Sequence, residues 1–429
     1  MQGGAPLPRA DADGGAPRTA GLVVEHLSFE RGGRRVVDDV SFTVGPGRML
    51  AVVGLSGAGK STLLSLLAGF EAPSSGAIAM AGRAWVCDAR LGHGGVGASD
   101  VGARVVPTAR MVPTAARSIG MSFDDAALHE HLTVWENLDS AAIPRGEPQE
   151  RRASRVKGLA ESLGLAALLA RRPATLSAGE RRRVAVGRAF IRSPELVLLD
   201  EPFANLDRGN RFTVRQMVRE LQRATGAIAI VVTHDPTDAL AIADDMLVLV
   251  DGRVRAHGAA VDVAMRPPDL EVAQLVDDLG MHAIELAGGS ALASGGDALA
   301  SGGAPATSGG APPTSGGHSG CSLSPAFRAR LHARAGDAPV LLGIRPWHVR
   351  AARDGGGAAA LSIHARVIAH EPAGLFTDVI AVRADGRALR ARVAAAEAQE
   401  LPIGAPACFE VHEEDVHLFR GPWPGQRLA

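Results

Sequence analysis

The chain has 429 residues, a net charge of −1 and three widely separated cysteines. This length predicts two or three domains, and the balanced charge lacks the basic field that attracts nucleic acids. The cysteines have neither a metal-binding spacing nor a disulfide framework, which fits a reducing cytosol. The N-terminus lacks the apolar segment of a signal peptide, and no run of about 18 apolar residues predicts a membrane span.

The first part of the chain predicts a disordered tail followed by an α/β domain. Residues 1–20 are rich in alanine, glycine and proline, a composition typical of disorder. The stretches LVVEHLSF and VVDDVSFTV alternate like antiparallel strands, whereas RMLAVVGL, ELVLLDEP and AIAIVVTHD contain continuous apolar runs typical of buried strands. Because helical patterns follow these buried strands, we expect a mostly parallel sheet with an antiparallel edge.

A phosphate-binding loop is predicted between the first buried strand and its helix. The segment GLSGAGKST fits the pattern G-x-x-x-x-G-K-[ST], and a match by chance is disfavoured because strand, loop and helix agree. Backbone N–H groups and the helix N-terminus would bind phosphate oxygens. Lys60 would reach the β- and γ-phosphates, and the Ser61 hydroxyl suits Mg²⁺. The sequence therefore predicts ATP and Mg²⁺ as cofactors, with these phosphate-binding residues: Gly54, Ser56, Gly57, Gly59, Lys60, Ser61 and Thr62.

Two acidic pairs stand at the ends of predicted strands. In LVLLDEP, Asp200 would hold Mg²⁺ through water and Glu201 would polarise the attacking water, unless the pair simply faces solvent. In SIGMSFDDAALHEHL, Asp124 and Asp125 follow a predicted strand. They could be catalytic acids, metal ligands or a solvated turn, and the local sequence does not decide between these roles.

The segment LSAGERRRVAVGRAF carries a family resemblance, since it resembles the signature L-S-G-G-Q of ABC transporter ATP-binding subunits. Ser177 can cap the helix that follows, with Glu180 in its first turn. The resemblance implies that Ser177, Gly179 and Glu180 contact a nucleotide held by a second subunit. It also implies that Asp207 in FANLD belongs to the D-loop. His234 in VVTHD then matches the histidine that contacts the γ-phosphate.

Two positions depart from the family pattern. Asp124 stands where the family has a glutamine near Mg²⁺ and the reacting water, and its carboxylate could serve as a metal ligand. Arg31 stands where the family stacks an aromatic ring on adenine, and a guanidinium plane can also stack on a base. Phe29 is a weaker candidate for this role, and Val36 would pack against the base.

The C-terminal part predicts a second domain. Residues 87–116 read as an inserted loop and 287–339 as a low-complexity linker, because small residues dominate both segments. From residue 340 to 429 short alternating stretches return, and LLGIRPWHV resembles the OB-like regulatory domain of importer ATPases. We therefore expect an α/β P-loop ATPase domain at 21–276, with a helical subdomain at about 124–178, and a small all-β OB-like domain at its C-terminal side.

The resemblance implies an importer ATPase at the cytoplasmic face of the inner membrane, bound there peripherally. Two such subunits, identical or paired, would close around two ATP molecules, move two membrane-spanning permease subunits and serve a solute-binding protein indirectly. The solute would be a sugar or glycerol phosphate, or alternatively iron, a polyamine or an oxyanion. Two competing interpretations are a degenerate ATP-binding regulator, suggested by Asp124 and Arg31, and an exporter or non-transport ABC ATPase.

Overall fold

The computed structural model describes residues 21–86, 111–142, 148–277, 279–286, 321–336, 338–352, 359–421 and 425–428. The chain divides into two compact units, Met1–Val263 and Ala264–Ala429. The predicted tail at 1–20, residues 87–110 of the predicted insert and residues 287–320 of the predicted linker lie outside the described residues. The predicted end of the first domain, at residue 276, lies beyond the division between the units.

The first unit combines an antiparallel sheet with a mostly parallel one. Its strands are β1 Leu22–Arg31, β2 Arg34–Val44, β3 Met49–Val53, β4 Ser75–Met80, β5 Arg83–Val86, β6 Ile119–Ser122, β7 Leu196–Asp200, β8 Ile228–Thr233, β9 Asp245–Val250 and β10 Arg253–Ala259. The antiparallel sheet has the order β2-β1-β4-β5, and the other has the order β10-β9-β3-β8-β7-β6. In the second sheet only β10 pairs antiparallel among the described strands.

Helices cover and extend the mostly parallel sheet. They are α1 Lys60–Ala68, α2 Val134–Ala142, α3 Gln149–Ser162, α4 Ala178–Phe190, α5 Arg208–Thr225, α6 Pro236–Ile242 and α7 Ala260–Met265, which spans the division between the units. Helices α2, α3 and α4 pack closely because α4 has a glycine at their contact. A Cβ on Gly187 would lie 2.6 Å from Leu163 Cδ1 and 3.1 Å from Leu138 Cδ2.

Strands β3, β7 and β8 place the candidate site. Every residue of these three strands is buried, as expected of parallel strands with both faces covered. Since β8 lies between β3 and β7, their carboxyl ends meet at one edge of the sheet. The phosphate loop, the pair Asp200–Glu201 and His234 follow these ends. Ligands of open α/β sheets bind at this edge.

The second unit is rich in antiparallel strands, which confirms the predicted fold class. Its strands are β11 His282–Leu286, β12 Cys321–Leu323, β13 Val340–Ile344, β14 Arg350–Ala351, β15 Leu361–Ala373, β16 Phe376–Arg383, β17 Ala388–Ala394, β18 Pro406–Val411, β19 Val416–Arg420 and β20 Gln426–Arg427. They form sheets of the order β11-β13-β19-β20 and β14-β18-β15-β16-β17, with β12 paired to β15. The helices of this unit are α8 Leu270–Leu275, α9 Pro325–Ala335 and α10 Ala395–Ala398.

The predicted linker, residues 287–339, is too long at its C-terminal end, because residues 321–335 form β12 and α9. Ser324 caps α9 by accepting a hydrogen bond from Phe327 N at 3.3 Å. Phe327, Leu331 and Ala335 repeat at helical spacing and are buried in the core of the second unit. This apolar repeat is easily overlooked because the small residues that precede it dominate the composition of the segment.

Within the described ranges, no helix has both the length and the apolar character that a membrane span needs.

Candidate functional site

The phosphate loop, residues 54–61, turns from β3 into α1, and two of its glycines are required by close backbone contacts. A Cβ on Gly54 would lie 2.3 Å from the Leu249 carbonyl oxygen, and one on Gly59 would lie 2.6 Å from that of Val36. Gly59 also has a φ of 99°, which L-residues with side chains rarely adopt. The loop therefore keeps its shape only with glycine at these positions.

Lys60 is buried beneath the phosphate loop. Its Nζ donates to the carbonyl oxygens of Gly54 at 2.8 Å and Leu55 at 2.9 Å. Burial lowers the pKa of Lys60, while the charges of Glu201 and Asp200 work against that shift. An ammonium group is thus fixed inside the loop and faces the strand-end carboxylates.

Asp200, at the end of β7, provides a buried carboxylate. Burial raises the pKa of Asp200, and a hydrogen bond from Ser61 works against the shift. Its Oδ1 is buried and has no hydrogen-bond partner within the described part of the chain. A buried carboxylate oxygen without a partner, beside a hydroxyl group, has the chemistry of a Mg²⁺ site. The residues present therefore fit the predicted ion.

Glu201 and His234 lie side by side. Nδ1 of His234 is 2.9 Å from Glu201 Oε1, and the His234 side chain is 64% exposed. Glu201 is held in a left-handed conformation, with a φ of 44°, and its backbone N–H donates to Val232 O at 3.0 Å. Strands β7 and β8 thus bring together the acid predicted to orient water and the histidine implied by the family resemblance.

The signature segment, Leu176–Glu180, begins helix α4 with the predicted cap. Ser177 N donates to Glu180 Oε2 at 2.7 Å, and Glu180 N donates to Ser177 Oγ at 3.3 Å. This reciprocal capping box satisfies backbone donors at the helix N-terminus. The hydrogen bond from the Ser177 backbone also lowers the pKa of Glu180. The expectation that Ser177 caps this helix is confirmed.

Asp207 links its own helix to the signature segment. Its Oδ1 accepts hydrogen bonds from Gly209 N and Asn210 N, each at 3.0 Å, and caps α5. The Asn210 side chain donates to Asp207 Oδ2 at 2.5 Å. A Cβ on Gly179 would lie 2.7 Å from Asn210 Oδ1, so a larger residue there would displace the Asn210 side chain from this contact.

The Asp124 loop, residues 123–129, lies against helix α4. The Asp124 side chain is 63% exposed, and its charge raises the pKa of Asp200 in addition to the larger effect of burial. Asp125 accepts a hydrogen bond from Ala127 N at 3.0 Å, the contact expected of a turn residue. Arg182 and Arg188 of α4 donate to backbone carbonyls of the loop.

Nothing in the sequence singles out Arg182 as a residue of the site. It is the middle residue of the run Arg181–Arg183, and nothing local shows which arginine points inward. In the structure Arg181 Nη2 pairs with Glu130 Oε1 at 2.5 Å on the surface, and Arg183 Nη1 donates to Leu163 O at 3.1 Å. Arg182 is the member of this run that donates hydrogen bonds to the Asp124 loop.

The positions predicted to contact adenine lie on β1 and β2. Nη2 of Arg31 pairs with Glu71 Oε1 at 2.8 Å, and its guanidinium carbon lies 5.6 Å from the ring centre of Phe29. Phe29 is only 7% exposed and packs in the core, so this weaker candidate is a core residue. Val36 is half-buried, and its carbonyl oxygen lies next to Gly59.

Comparisons with known proteins identify the family. The family described as ABC transporter matches residues 37–204. An Fe(3+) ion import ATP-binding protein of Mesorhizobium japonicum is 38% identical over 63% of this chain and 69% of its own length. An sn-glycerol-3-phosphate import ATP-binding protein of Chromohalobacter salexigens is 32% identical over 92% of this chain and 94% of its own length. The chain belongs to the ABC transporter family.

A further relative is an sn-glycerol-3-phosphate import ATP-binding protein of Rhodopseudomonas palustris, 36% identical over 60% of this chain and 64% of its own length. The family explains why a phosphate loop and strand-end acids lie at one edge of the sheet. As an ABC-type ATPase, the chain uses ATP, with Mg²⁺ as the usual ion. The predictions of the family, the activity and the cofactors are thereby confirmed.

Proposed function

We propose that this chain is the ATP-hydrolysing subunit of an importer, working as a dimer around two ATP molecules. The observation that carries this proposal is the 2.9 Å contact between His234 and Glu201, at the sheet edge where Lys60 and Asp200 also lie. A regulator without turnover would not need an acid and a histidine held together beside a phosphate loop. Two separate membrane subunits would convert the closing of the dimer into solute movement.

Each residue of the site has a proposed role. The Glu201 carboxylate accepts a hydrogen bond from the attacking water and polarises it. His234 uses Nδ1 toward Glu201, so that its exposed Nε2 side can contact the γ-phosphate. Lys60 exchanges the carbonyl oxygens of the loop for β- and γ-phosphate oxygens. Bound Mg²⁺ would neutralise phosphate charge, and Ser61 and Asp200 are the residues that would hold it.

The remaining predicted contacts concern the second subunit and the base. Ser177, Gly179 and Glu180 would face the nucleotide held by the partner, and Asp207 supports them through Asn210. Arg31 would stack on adenine after leaving Glu71, and Val36 would pack beside it.

The solute we propose is sn-glycerol-3-phosphate. One relative that carries this name matches 92% of the chain, including the second unit, whereas another of the same name matches 60% and the Fe(3+) relative 63%. A solute-binding protein would deliver the solute to the membrane subunits, and this chain would lie peripherally at the cytoplasmic face of the inner membrane. The solute would then contact those proteins and not this chain.

The test is ATP-driven uptake in proteoliposomes. The chain is reconstituted with the permease subunits and the solute-binding protein of an sn-glycerol-3-phosphate importer from the same organism, and radiolabelled sn-glycerol-3-phosphate is offered outside with ATP inside. We expect uptake that requires ATP and is lost with Glu201→Gln, while labelled Fe³⁺ and maltose are not taken up. Intact ATP hydrolysis without uptake of any of the three solutes would contradict the proposed importer. Uptake of Fe³⁺ alone would contradict sn-glycerol-3-phosphate as the solute and identify Fe³⁺ instead.

A further inference from the structure

Arg182 of helix α4 holds the Asp124 loop from a distant part of the chain. Its Nη1 donates to Phe123 O at 3.1 Å and its Nη2 to Asp124 O at 2.7 Å, across sequence separations of 59 and 58 residues. The Arg182 side chain is only 7% exposed. A buried guanidinium with two backbone contacts fixes the position of the loop relative to helix α4.

The surroundings of Arg182 are acidic. Burial lowers the pKa of Arg182, and four carboxylates oppose the shift: Asp124, Asp125, Glu201 and Asp200. Asp124 Oδ1 lies 3.8 Å from Arg182 Nη2. Since two of the four carboxylates belong to the proposed hydrolytic site, one buried positive charge faces both that site and the loop.

Asp124 places a negative charge near the sheet edge where the negatively charged triphosphate of ATP would bind. Its charge already raises the pKa of Asp200, so the two carboxylates share one electrostatic environment. A carboxylate beside triphosphate would weaken nucleotide binding unless a positive charge offsets it. Lys60 lies beneath the phosphate loop and is held by its carbonyl oxygens, whereas Arg182 is in direct contact with the Asp124 loop.

We propose that Arg182 is a positioning residue whose charge offsets that of Asp124, so that a carboxylate in this loop is compatible with ATP binding. The inference rests on the proposed function only in placing ATP at this sheet edge. Arg182 thereby acts through the loop and through the local field, without touching the nucleotide. Its two hydrogen bonds to backbone carbonyls hold the Asp124 loop in place, and its positive charge offsets the negative charge of Asp124.

A double-mutant cycle separates compensation from simple structural support. Affinity for ATP is measured by calorimetry in EDTA for the wild type, Arg182→Gln, Asp124→Asn and the double variant. We expect Arg182→Gln to weaken ATP binding by about 10-fold or more and Asp124→Asn to leave it equal or tighter. When Asp124 is already Asn, the fold loss of ATP affinity caused by Arg182→Gln should be smaller by a factor of at least about 5, as expected of directly coupled residues.

Matched variants control the cycle. Arg181→Gln removes a charge from the preceding residue, which pairs with Glu130 on the surface, and should change ATP affinity by less than about 2-fold. Arg182→Lys keeps the charge but loses the two-pronged contact, so it should retain more affinity than Arg182→Gln. Thermal unfolding reports whether each variant is folded, and if Arg182→Gln is not, the neutral Arg182→Met takes its place in the cycle.

Equal losses of affinity from the Arg182 change in both Asp124 backgrounds would overturn the inference, because support of the backbone does not depend on the Asp124 side chain. This outcome is distinguishable from failure of the proposed function. The cycle uses ATP binding without hydrolysis, whereas the importer proposal depends on uptake. A chain that shows the coupling but drives no uptake contradicts only the importer, and the reverse result contradicts only the pairing of Arg182 with Asp124.

Discussion

The phosphate loop and the Asp124 loop lie in the same unit but are built in different ways. The residue pattern of the phosphate loop is local in sequence, and Lys60 bonds to carbonyls within six residues of itself, although Gly54 and Gly59 pack against the more distant Leu249 and Val36. The Asp124 loop is held by Arg182, 58 residues away in sequence. Local geometry can be recognised as a motif, whereas a long-range contact requires the fold. The two loops therefore differ in what a sequence alone can reveal.

Among substitutions in the two loops, replacing Lys60 of the phosphate loop should reduce ATP turnover the most. Lys60→Ala removes the ammonium group held inside the phosphate loop, so ATP turnover should fall by about 10²–10³-fold. The control is Lys157→Ala, since Lys157 is exposed on α3 and should leave the rate unchanged. Phosphate release at several ATP concentrations measures both. A Lys60→Ala rate within about 3-fold of wild type would contradict the role assigned to the loop.

His234 tests whether the contact at the ends of β7 and β8 contributes to hydrolysis. His234→Ala removes the partner of Glu201 and should lower turnover by about 10²-fold, the usual contribution of a positioned acid–base group. ATP affinity should change by only a few-fold, because the phosphate loop remains. Single-turnover hydrolysis and equilibrium binding of ATP separate the two effects. Unchanged hydrolysis with weakened binding would make His234 a binding residue only.

Asp124 and Asp125 are neighbours in the Asp124 loop, but we expect their substitutions to have different effects on the use of Mg²⁺. If Asp124 acts as a ligand on the Mg²⁺ side, Asp124→Asn should raise the Mg²⁺ concentration for half-maximal ATPase activity by about 10-fold. Asp125→Asn should shift it by less than about 2-fold, because Asp125 uses its Oδ1 for the Ala127 N–H. If neither substitution changes the Mg²⁺ titration, Asp124 is not a metal ligand.

The cap of helix α4 predicts a small effect on stability. Ser177→Ala removes the hydrogen bond to Glu180 N, and losing such a cap lowers the free energy of unfolding by about 1 kcal/mol. Chemical denaturation of the isolated chain measures this difference. A Ser177→Ala variant as stable as wild type would show that the exposed cap contributes nothing, whatever Ser177 does with a nucleotide.

The fold and much of the site could be predicted because their causes are local. Continuous apolar runs mark β3, β7 and β8 as buried strands. Asp200 and Glu201 stand at the end of one of these runs and are therefore placed at a strand end. Parallel strands bring such ends to one edge. The contact between Glu201 and His234 is different, since only the family resemblance points to His234, and their distance depends on the strand order.

The rest depends on tertiary contacts that the sequence does not display. Arg181, Arg182 and Arg183 are chemically identical neighbours, yet helical rotation of about 100° per residue sends them to three different partners. Phe29 lies two residues before Arg31 on β1, yet Phe29 is buried in the core whereas Arg31 is exposed. Helix α9 is hidden in the sequence because a long tract of small residues precedes its apolar repeat.

An ATPase site built on Glu201 is tested by the phosphate-release rate of the purified chain compared with that of Glu201→Gln. Both are measured at saturating ATP and Mg²⁺, with ATP binding measured separately. We predict steady turnover for the wild type, a rate at least about 10²-fold lower for Glu201→Gln, and similar ATP affinities. Equal, near-zero rates in both proteins would contradict the account and indicate a subunit that binds ATP without hydrolysing it.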